Sequence, residues 1–281
     1  MKIAYLGPEK TFTEKAAKAM FPDSATFIPL SPIRKVINAV ESKEVHYGVV
    51  PIENFYNGEV RETLDSLTDC VHTKIVNEKA FEIIHCLGAL KSHKEITKIM
   101  SKNQALEQCS KYLCKNYPHA ITISTESTSL AAETIEREQL ENSAAIASET
   151  ALKNTGLEIL ASNICPNNKT RFVALSTSST KSTGNDKTLL AYHPPFKNRP
   201  GTLHTNLGIF ANLEINLEYL QSRPDGSGGH IFYIELKGHR DDKPVKLALD
   251  SLKYALDPKN KNPSVLKVLG SYPNTDWKNG N

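Results

Sequence analysis

The chain has 281 residues, of which 39% are hydrophobic and 23% are charged, a balance typical of globular proteins with two or three compact units. The formal net charge of +3 arises from mixed signs, which disfavours a nucleic-acid-binding stripe and a polybasic membrane segment. No apolar run approaches the ~18 residues of a membrane span, so we expect no nucleic-acid partner and no membrane.

The first part of the chain alternates predicted strands and helices. A short buried strand, KIAYLG, precedes a helix that begins at Thr11, where Thr11 and Glu14 stand in capping-box order. Further strands are predicted in ATFIPL and YGVVPIEN, with the helix SPIRKVINAVES between them. Alternation in units this short predicts an α/β sheet with parallel pairing.

The alternation continues as far as the strand FVAL and then changes. Strands are predicted in AFEIIHCLGAL and SAAIAS, and NQALEQCSKYLCKN is predicted to be one helix. The segment STSSTKSTGNDK, residues 176 to 187, has the composition of a linker. Beyond it, the order β-α-β-β-α-β within roughly 85 residues predicts a ferredoxin-like α+β unit.

The cysteines and histidines indicate neither a disulfide framework nor a metal site. The chain has five cysteines, an odd number, and none of them forms a CxxC pair. Reduced thiols in a cytoplasmic protein are therefore expected. No HExxH, Walker loop, nucleophile elbow or GxGxxG is present, so we expect no metal and no cofactor.

Polar residues cluster where predicted elements end. Glu53 and Asn54 close a strand, at the edge where open α/β sheets bind ligands, although they could equally only turn the chain. Ser101 is predicted to cap the following helix, with Gln108 two turns further along the same face. This pair and Thr11 could face an anion or form ordinary surface polarity.

The segment NNKTRFVAL raises the same question. Thr170 and Arg171 stand at the mouth of a predicted buried strand, either as a loop-to-strand transition or facing an anion in a cleft. A guanidinium is well suited to bidentate contact with a carboxylate.

These motifs together resemble the prephenate dehydratases that carry a C-terminal ACT regulatory domain. The resemblance covers essentially the whole chain, through LGPEKTFTEKAA, VVPIENFYNGEVRETLDSL, SKNQALEQCSKYL, NNKTRFVAL and RPGTLHTNLGIFANLEINLEYLQSRP. It implies conversion of prephenate to phenylpyruvate with loss of CO2 and water. It also implies a two-lobed catalytic domain of the periplasmic-binding-protein type, which is an α/β fold, followed by an α+β, ferredoxin-like ACT domain.

The resemblance also implies boundaries and residue roles. The catalytic domain would span residues 1–180, with lobe one at 1–76 and 164–180 and lobe two at 77–163, and the ACT domain would span 186–275. Thr170 would lie nearest the leaving hydroxyl. The other implied roles are polar lining or orientation for Asn54, Ser101, Gln108 and Glu53, and substrate binding for Arg171, Phe172 and Thr11.

The ACT part is expected to bind phenylalanine between two copies of the chain, which requires a homodimer or tetramer. The implied effector-binding residues are Gly201, Thr202, Leu203, Gln221, Ser222, Arg223 and Pro224. Several positions depart from the family pattern: Lys10 replaces a glycine, Phe55 replaces a hydroxyl residue, and Gln221 replaces a glutamate. Leu203 and His204 also alter the first effector turn.

Three other functions stay open. One is dehydration of arogenate, which differs from prephenate by an amino group. Another is decarboxylation of prephenate without loss of water, against which the hydroxyl of Thr170 argues. The third is a catalytically silent amino-acid sensor, in which only the ACT part is functional.

Overall fold

The computed structural model describes residues 1–194, 200–226, 228–259, 262 and 265–275. The N-terminal elements are β1 (Lys2–Leu6), α1 (Phe12–Met20), β2 (Thr26–Leu30), α2 (Ile33–Glu41), β3 (Tyr47–Asn54), β4 (Gly58–Glu59), α3 (Arg61–Asp69) and β5 (Lys74–Glu82). The middle elements are β6 (Cys86–Ala89), β7 (Lys98–Lys102), α4 (Asn103–Gln108), α5 (Ser110–Asn116), β8 (Ile121–Thr125), α6 (Thr128–Glu138), β9 (Ser143–Ala147), α7 (Glu149–Asn154) and β10 (Glu158–Ala161). The C-terminal elements are β11 (Lys169–Ser176), β12 (Asp186–Tyr192), α8 (Thr202–Asn212), β13 (Leu217–Pro224), β14 (His230–Lys237), α9 (Lys243–Leu256) and β15 (Leu266–Pro273).

The first lobe is built on strands in the order β5-β11-β3-β1-β2, with α1 to α3 packed on them. β1 pairs parallel with β2 and β3, whereas β11 runs antiparallel between β3 and β5. Buried Val36, Ile37 and Leu67 from α2 and α3 cover one face of this sheet. The parallel strands confirm the predicted α/β arrangement.

The second lobe is a separate five-stranded sheet in the order β10-β6-β9-β7-β8. One face packs against α6 and α7 through Ala131, Ile135 and Leu152. The other face packs against α4 and α5 through Leu106 and Leu113. Helices thus cover both faces, in agreement with the burial of β9 at every position.

Two crossovers connect the lobes. The chain leaves the first sheet after Glu82 and re-enters it at Lys169. The implied boundary after residue 76 is therefore too early, because β5 stays paired with β11 as far as Glu82. The predicted strand AFEIIHCLGAL is split for the same reason, since its first residues belong to one sheet and its last residues to the other.

The C-terminal unit has the predicted ferredoxin-like order of elements. Its strands lie in the order β13-β14-β12-β15, and its core lies between this sheet and α8 and α9. β15 also meets β5 at Gly270 and Ile75, so the unit extends the sheet of the first lobe to ten strands. Gly270 permits this contact, because a Cβ there would collide with the backbone of Ile75.

Several local predictions were wrong at their edges. The predicted linker ends too late, since Asp186 and Lys187 already belong to β12. The helix predicted from Asn103 is two helices that meet at Cys109. Ser101 does not cap it, because Ser101 is the buried fourth residue of β7 and Lys102 holds the cap position.

All five cysteines are free, and four of them are buried. No helix in the described part of the chain is both long enough and apolar enough to cross a bilayer.

Candidate active site

A cleft of 270 Å³ lies between the two lobes. The first lobe lines it with the turn after β1, the start of α1, and the ends of β3 and β11. The second lobe lines it with the segments that open α4, α6 and α7. Predicted site residues that reach the cleft are Thr11, Asn54, Gln108, Thr170 and Phe172.

Thr170 holds its hydroxyl between the cleft and a buried amide. In the register of β11 and β3, Thr170 lies opposite Asn54. The Asn54 Nδ2 donates to Thr170 Oγ1 over 2.9 Å. In the described part of the chain, Thr170 Oγ1 acts only as an acceptor, so its own proton is left to donate into the cleft.

Both the nitrogen and the oxygen of the Asn54 amide are hydrogen-bonded to neighbouring protein groups. Its Nδ2 also donates to Asn168 Oδ1 at 2.9 Å, and its Oδ1 accepts from the backbone N–H groups of Tyr56 and Asn57. Only 4% of Asn54 is exposed. Its amide therefore orients Thr170, because no hydrogen-bonding capacity is left for a ligand.

Gln108 connects the lobes beside this pair. Its Nε2 donates to Asn54 Oδ1 at 3.1 Å and to Asn57 Oδ1. Its Oε1 accepts from Asn168 at 2.9 Å and lies 3.0 Å from His85 Nε2. The amide from α4 thus fixes the second lobe against the turn that follows β3.

His85 is neutral in this environment. Burial lowers the pKa of His85, although the hydrogen bond to Gln108 opposes the shift. Since Gln108 Oε1 is an acceptor, His85 Nε2 carries the proton, and the buried Nδ1 has no hydrogen-bond partner among the described residues. His85 therefore serves as a donor that holds the Gln108 amide in one orientation.

The electrostatic character of the cleft suits an anion. Lys10 and Lys102 line it, against one carboxylate, Glu126. The cleft also receives the first turns of α1 and α6, whose caps Thr11 and Ser127 each accept a backbone N–H. The positive ends of two helices add to the two ammonium groups and favour a ligand with more than one negative charge.

Lys10 has a backbone φ of 62°, in the left-handed region. This conformation explains why the family pattern has glycine at this position. The cap predicted for α1 is confirmed, since Thr11 accepts from the N–H of Glu14 at 3.3 Å. The Glu14 carboxylate accepts in return from the N–H of Lys10, next to the cap.

Arg171 and Glu53 do not reach the cleft. They lie opposite one another on β11 and β3, one residue away from Thr170 and Asn54. Successive strand residues point to opposite faces, so a strand that turns Thr170 to the cleft turns Arg171 away from it. This corrects the expectation that Arg171 anchors a substrate carboxylate, because its buried guanidinium contacts the carboxylates of Glu53, Glu78 and Glu235.

Ser101 is also withdrawn from the cleft. Its side chain is fully buried, and its hydroxyl donates to the carbonyl of Ile146 at 2.6 Å. It joins β7 to β9 inside the second lobe. Phe55, which departs from the family pattern, is 60% exposed beside Tyr56 and does not line the cleft.

The implied effector residues fall into two segments of the C-terminal unit. Gly201 caps α8, which begins with Thr202 and Leu203. The second segment, residues 221–224, ends β13. Arg223 is held by a bidentate contact with Asp65 of α3, at 2.5 and 3.0 Å. Residues 195–199, just before the first segment, lie outside the described residues.

Sequence reasoning missed several residues that the structure brings to the site. His85, Asn57 and Asn168 belong to the hydrogen-bonded group around Asn54, and Lys102 lines the cleft. A polar signal was present for His85, which directly follows the apolar pair Ile83 and Ile84. The described residues include no group of three or more His, Cys, Asp or Glu side chains that could hold a metal ion.

Comparison with known proteins identifies the family. Residues 3–180 match the family model described as prephenate dehydratase. A bifunctional chorismate mutase/prephenate dehydratase of Aquifex aeolicus is 39% identical, over 97% of this chain and 74% of that protein. A prephenate dehydratase of Lactococcus lactis is 35% identical, over 97% of both chains.

A solved structure agrees with the sequence comparisons. The prephenate dehydratase of Arthrobacter aurescens, solved in complex with L-Phe, superimposes with a TM-score of 0.84 at 31% identity, covering 98% of this chain and 91% of that one. The shared fold includes the C-terminal unit as well as both lobes. The chain belongs to the prephenate dehydratase family.

Proposed function

We propose that the chain converts prephenate to phenylpyruvate, CO2 and water in the cleft between its lobes. The observation that carries the proposal is the hydroxyl of Thr170. It accepts from Asn54, keeps its own proton for a ligand and lies in a cleft with two ammonium groups. The family match over residues 3–180 supports the same reaction.

The reaction requires one proton and no electron acceptor. The bond from the ring to its carboxylate breaks, and its electrons enter the ring as CO2 departs. The ring becomes aromatic as the C–O bond on the opposite side breaks and hydroxide leaves. The prephenate dianion thus gives the phenylpyruvate anion, CO2 and hydroxide, and a proton converts the hydroxide to water.

Thr170 stabilises the departing oxygen. A hydroxyl is a weak acid, so its contribution is a hydrogen bond that strengthens as negative charge develops on the leaving oxygen. The bond from Asn54 Nδ2 withdraws electron density from Thr170 Oγ1 and fixes its direction. Because Asn54 and Gln108 are held before substrate arrives, little reorganisation is needed during the reaction.

The carboxylates are bound by groups other than Arg171. Lys10, Lys102 and the first turns of α1 and α6 are the positively charged features of the cleft. Phe172, Ile83 and Pro51 provide the apolar surface for the ring. The reacting ring then lies on the wall formed by β3 and β11, close to Thr170.

Incubation of the purified protein with prephenate at neutral pH tests this function, with phenylpyruvate followed by its alkaline absorbance. We expect turnover in the wild type. Formation of a non-aromatic, decarboxylated product would favour the related decarboxylase. Binding of prephenate without any product would favour an amino-acid sensor, and turnover of arogenate in preference to prephenate would reassign the substrate.

The C-terminal unit, residues 186–275, is proposed to bind phenylalanine and to reduce activity of the catalytic part, residues 1–180. The Arthrobacter aurescens structure, which contains L-Phe, supports this proposal. The effector would contact Gly201, Thr202, Leu203 and residues 221–224, between two copies of a cytoplasmic homodimer or tetramer. Unchanged activity and substrate affinity at millimolar phenylalanine would contradict this regulation.

A further inference from the structure

A buried cluster of charges joins the C-terminal unit to the strands that carry the active-site residues. This charge cluster consists of Glu53, Glu78, Arg171, Lys187 and Glu235. The first three belong to β3, β5 and β11 of the first lobe, and the last two belong to β12 and β14 of the C-terminal unit. It lies where the two halves of the ten-stranded sheet meet.

Arg171 is the centre of the charge cluster. Its guanidinium contacts Glu53 at 3.0 Å, Glu78 at 2.9 Å and Glu235 at 2.6 Å. The Arg171 side chain is 3% exposed and that of Glu235 is 1% exposed. The neighbouring carboxylates of Glu235, Glu78 and Glu53 raise the pKa of Arg171 further, although burial opposes the shift. The C-terminal unit therefore supplies one of the three carboxylates that fix this guanidinium.

Lys187, on β12 of the C-terminal unit, is the second cation of the charge cluster. Its ammonium lies 2.7 Å from Glu78 and 3.8 Å from Glu235, and its side chain is 1% exposed. The Tyr272 hydroxyl donates to Glu235, and Thr275 donates to Glu78 through both its N–H and its hydroxyl. Glu78 and Glu235 are thus each held from both halves of the sheet.

The five members are interdependent because of their charge balance. Within the cluster three carboxylates face two cations, with the partly exposed Glu218 at its edge 3.9 Å from Lys187, and Arg171 alone cannot neutralise the pair that the first lobe contributes. Loss of the Lys187 ammonium leaves three carboxylates against one guanidinium, and loss of the Glu235 charge removes the shortest of the three carboxylate contacts of Arg171; either change forces the remaining side chains to rearrange. The position of Arg171 therefore depends on Lys187 and Glu235.

Movement of Arg171 is transmitted to the cleft through the backbone. Arg171 and Glu53 are adjacent in sequence to Thr170 and Asn54, and the two pairs occupy consecutive rungs of the same ladder. The ladder shifts register between Arg171 and Phe172 before pairing continues, so an irregularity separates this end of the ladder from the rest. The ion pair between Arg171 and Glu53 holds the end of the ladder in place.

We propose that Lys187 and Glu235 are positioning residues of the dehydratase site, acting through Arg171 and Glu53 on the Thr170–Asn54 pair. The inference rests on the proposed function and adds a route by which the C-terminal unit controls that function. Neither residue touches the cleft. Their contribution is to hold Thr170 Oγ1 in the direction that meets the leaving hydroxyl.

Glu235→Gln tests the proposal because it keeps the shape and removes the charge. We expect kcat for prephenate to fall about tenfold, in the range of coupling through packed networks, with KM within about twofold. If Glu235 only stabilised the fold, Glu235→Gln would lower kcat by the same factor in the wild type and in Thr170→Ala. The decisive measurement is therefore a double-mutant cycle with Thr170→Ala.

If Glu235 acts through Thr170, the double variant retains the kcat of Thr170→Ala within about threefold, because the misplaced hydroxyl is already absent. A further tenfold loss in the double variant would overturn the proposal, as would a wild-type kcat for Glu235→Gln. If Glu235→Gln does not fold, the same cycle is run with Tyr272→Phe, which removes only one hydrogen bond to Glu235 and is judged by the same two outcomes.

Asp65→Asn is the matched control. It removes another charge contact between the first lobe and the C-terminal unit, the one to Arg223, without touching the charge cluster. We expect its kcat to stay within about twofold of wild type, and an equal loss in Asp65→Asn and Glu235→Gln would overturn the assignment. A wild type without turnover would remove the proposed function together with this inference, whereas an additive cycle in an active enzyme would remove this inference alone.

Discussion

Two adjacent pairs of residues divide between the faces of the first sheet. Thr170 and Asn54 turn to the cleft, and Arg171 and Glu53 turn to the junction with the C-terminal unit. The chemistry of each face follows from its surroundings. A hydroxyl beside an open cleft can meet a ligand, whereas the Arg171 guanidinium is buried away from the cleft and contacts three carboxylates.

Arg171→Met separates a structural role for this residue from a substrate-binding role. The variant leaves Glu53 and the buried Glu78 and Glu235 with only Lys187 as a counter-charge, so we expect a loss of about 3–5 kcal/mol in the free energy of unfolding. Urea denaturation measures this loss. Arg34→Met, which breaks the exposed pair with Asp69, should cost about 0–1 kcal/mol. Unchanged stability with a raised KM would show that Arg171 binds substrate after all.

His85, in the first crossover between the lobes, makes stability depend on pH. The unfolded imidazole titrates near 6.5, and burial lowers the pKa in the folded state. Between the two pKa values the unfolded chain binds more protons, so stability is complete above 6.5 and declines as the pH falls below it. We expect the free energy of unfolding to drop less between pH 7.5 and pH 5 in His85→Gln than in the wild type.

The control for this measurement is His119→Gln, since His119 is exposed. It should retain the whole pH-dependent loss of the wild type. An identical pH profile for His85→Gln and the wild type would mean that His85 does not carry this dependence.

Elements were predictable where their apolar pattern is complete. β1, α1 and β3 were expected from local pattern alone, because β1 and β3 each contain a short run of consecutive buried residues and the buried residues of α1 recur at helical spacing. The breaks between elements were not predictable from local pattern. The helix predicted from Asn103 is interrupted at Cys109, and β5 and β6 were read as one strand, since both sheets bury similar apolar residues.

The contact between β15 and β5 depends on one glycine. In Gly270→Ala the new methyl group would meet the backbone and the Cβ of Ile75. We expect the midpoint of thermal unfolding to fall by several degrees, since overpacking costs about 1–3 kcal/mol. Gly208→Ala, within α8 and with open space around the added Cβ, should instead be neutral or slightly stabilising. Equal midpoints for both variants would contradict the close approach of the two strands.

The arrangement of the whole chain places the site and its control on one sheet. The chain crosses between the two lobes twice, and the cleft lies between them. The C-terminal unit continues the sheet of the first lobe. The order of predicted elements indicated the ferredoxin-like unit, and the family resemblance implied the two lobes and a site with Thr170, Asn54 and Gln108. They did not predict which side of a strand each residue faces.

The charge cluster was beyond the reach of sequence reasoning for a physical reason. Its members lie far apart in the chain, at positions 53, 78, 171, 187 and 235. Glu53 and Arg171 were expected at the cleft, and in a local window Glu78, Lys187 and Glu235 resemble ordinary surface charges. Lys187 was assigned to a linker because its neighbours are small and polar. Only the pairing of β12 with β14 and β15 brings it into the interior.

The central claim is that the Thr170 hydroxyl assists departure of the ring hydroxyl. Comparing kcat for prephenate in the wild type, Thr170→Ser and Thr170→Val tests it most directly. Serine keeps the hydroxyl, and valine keeps the shape without it. We predict that Thr170→Ser stays within about tenfold of the wild type, while Thr170→Val loses about 10²–10³ in kcat at unchanged folding. Equal kcat values for the valine and serine variants would contradict the account.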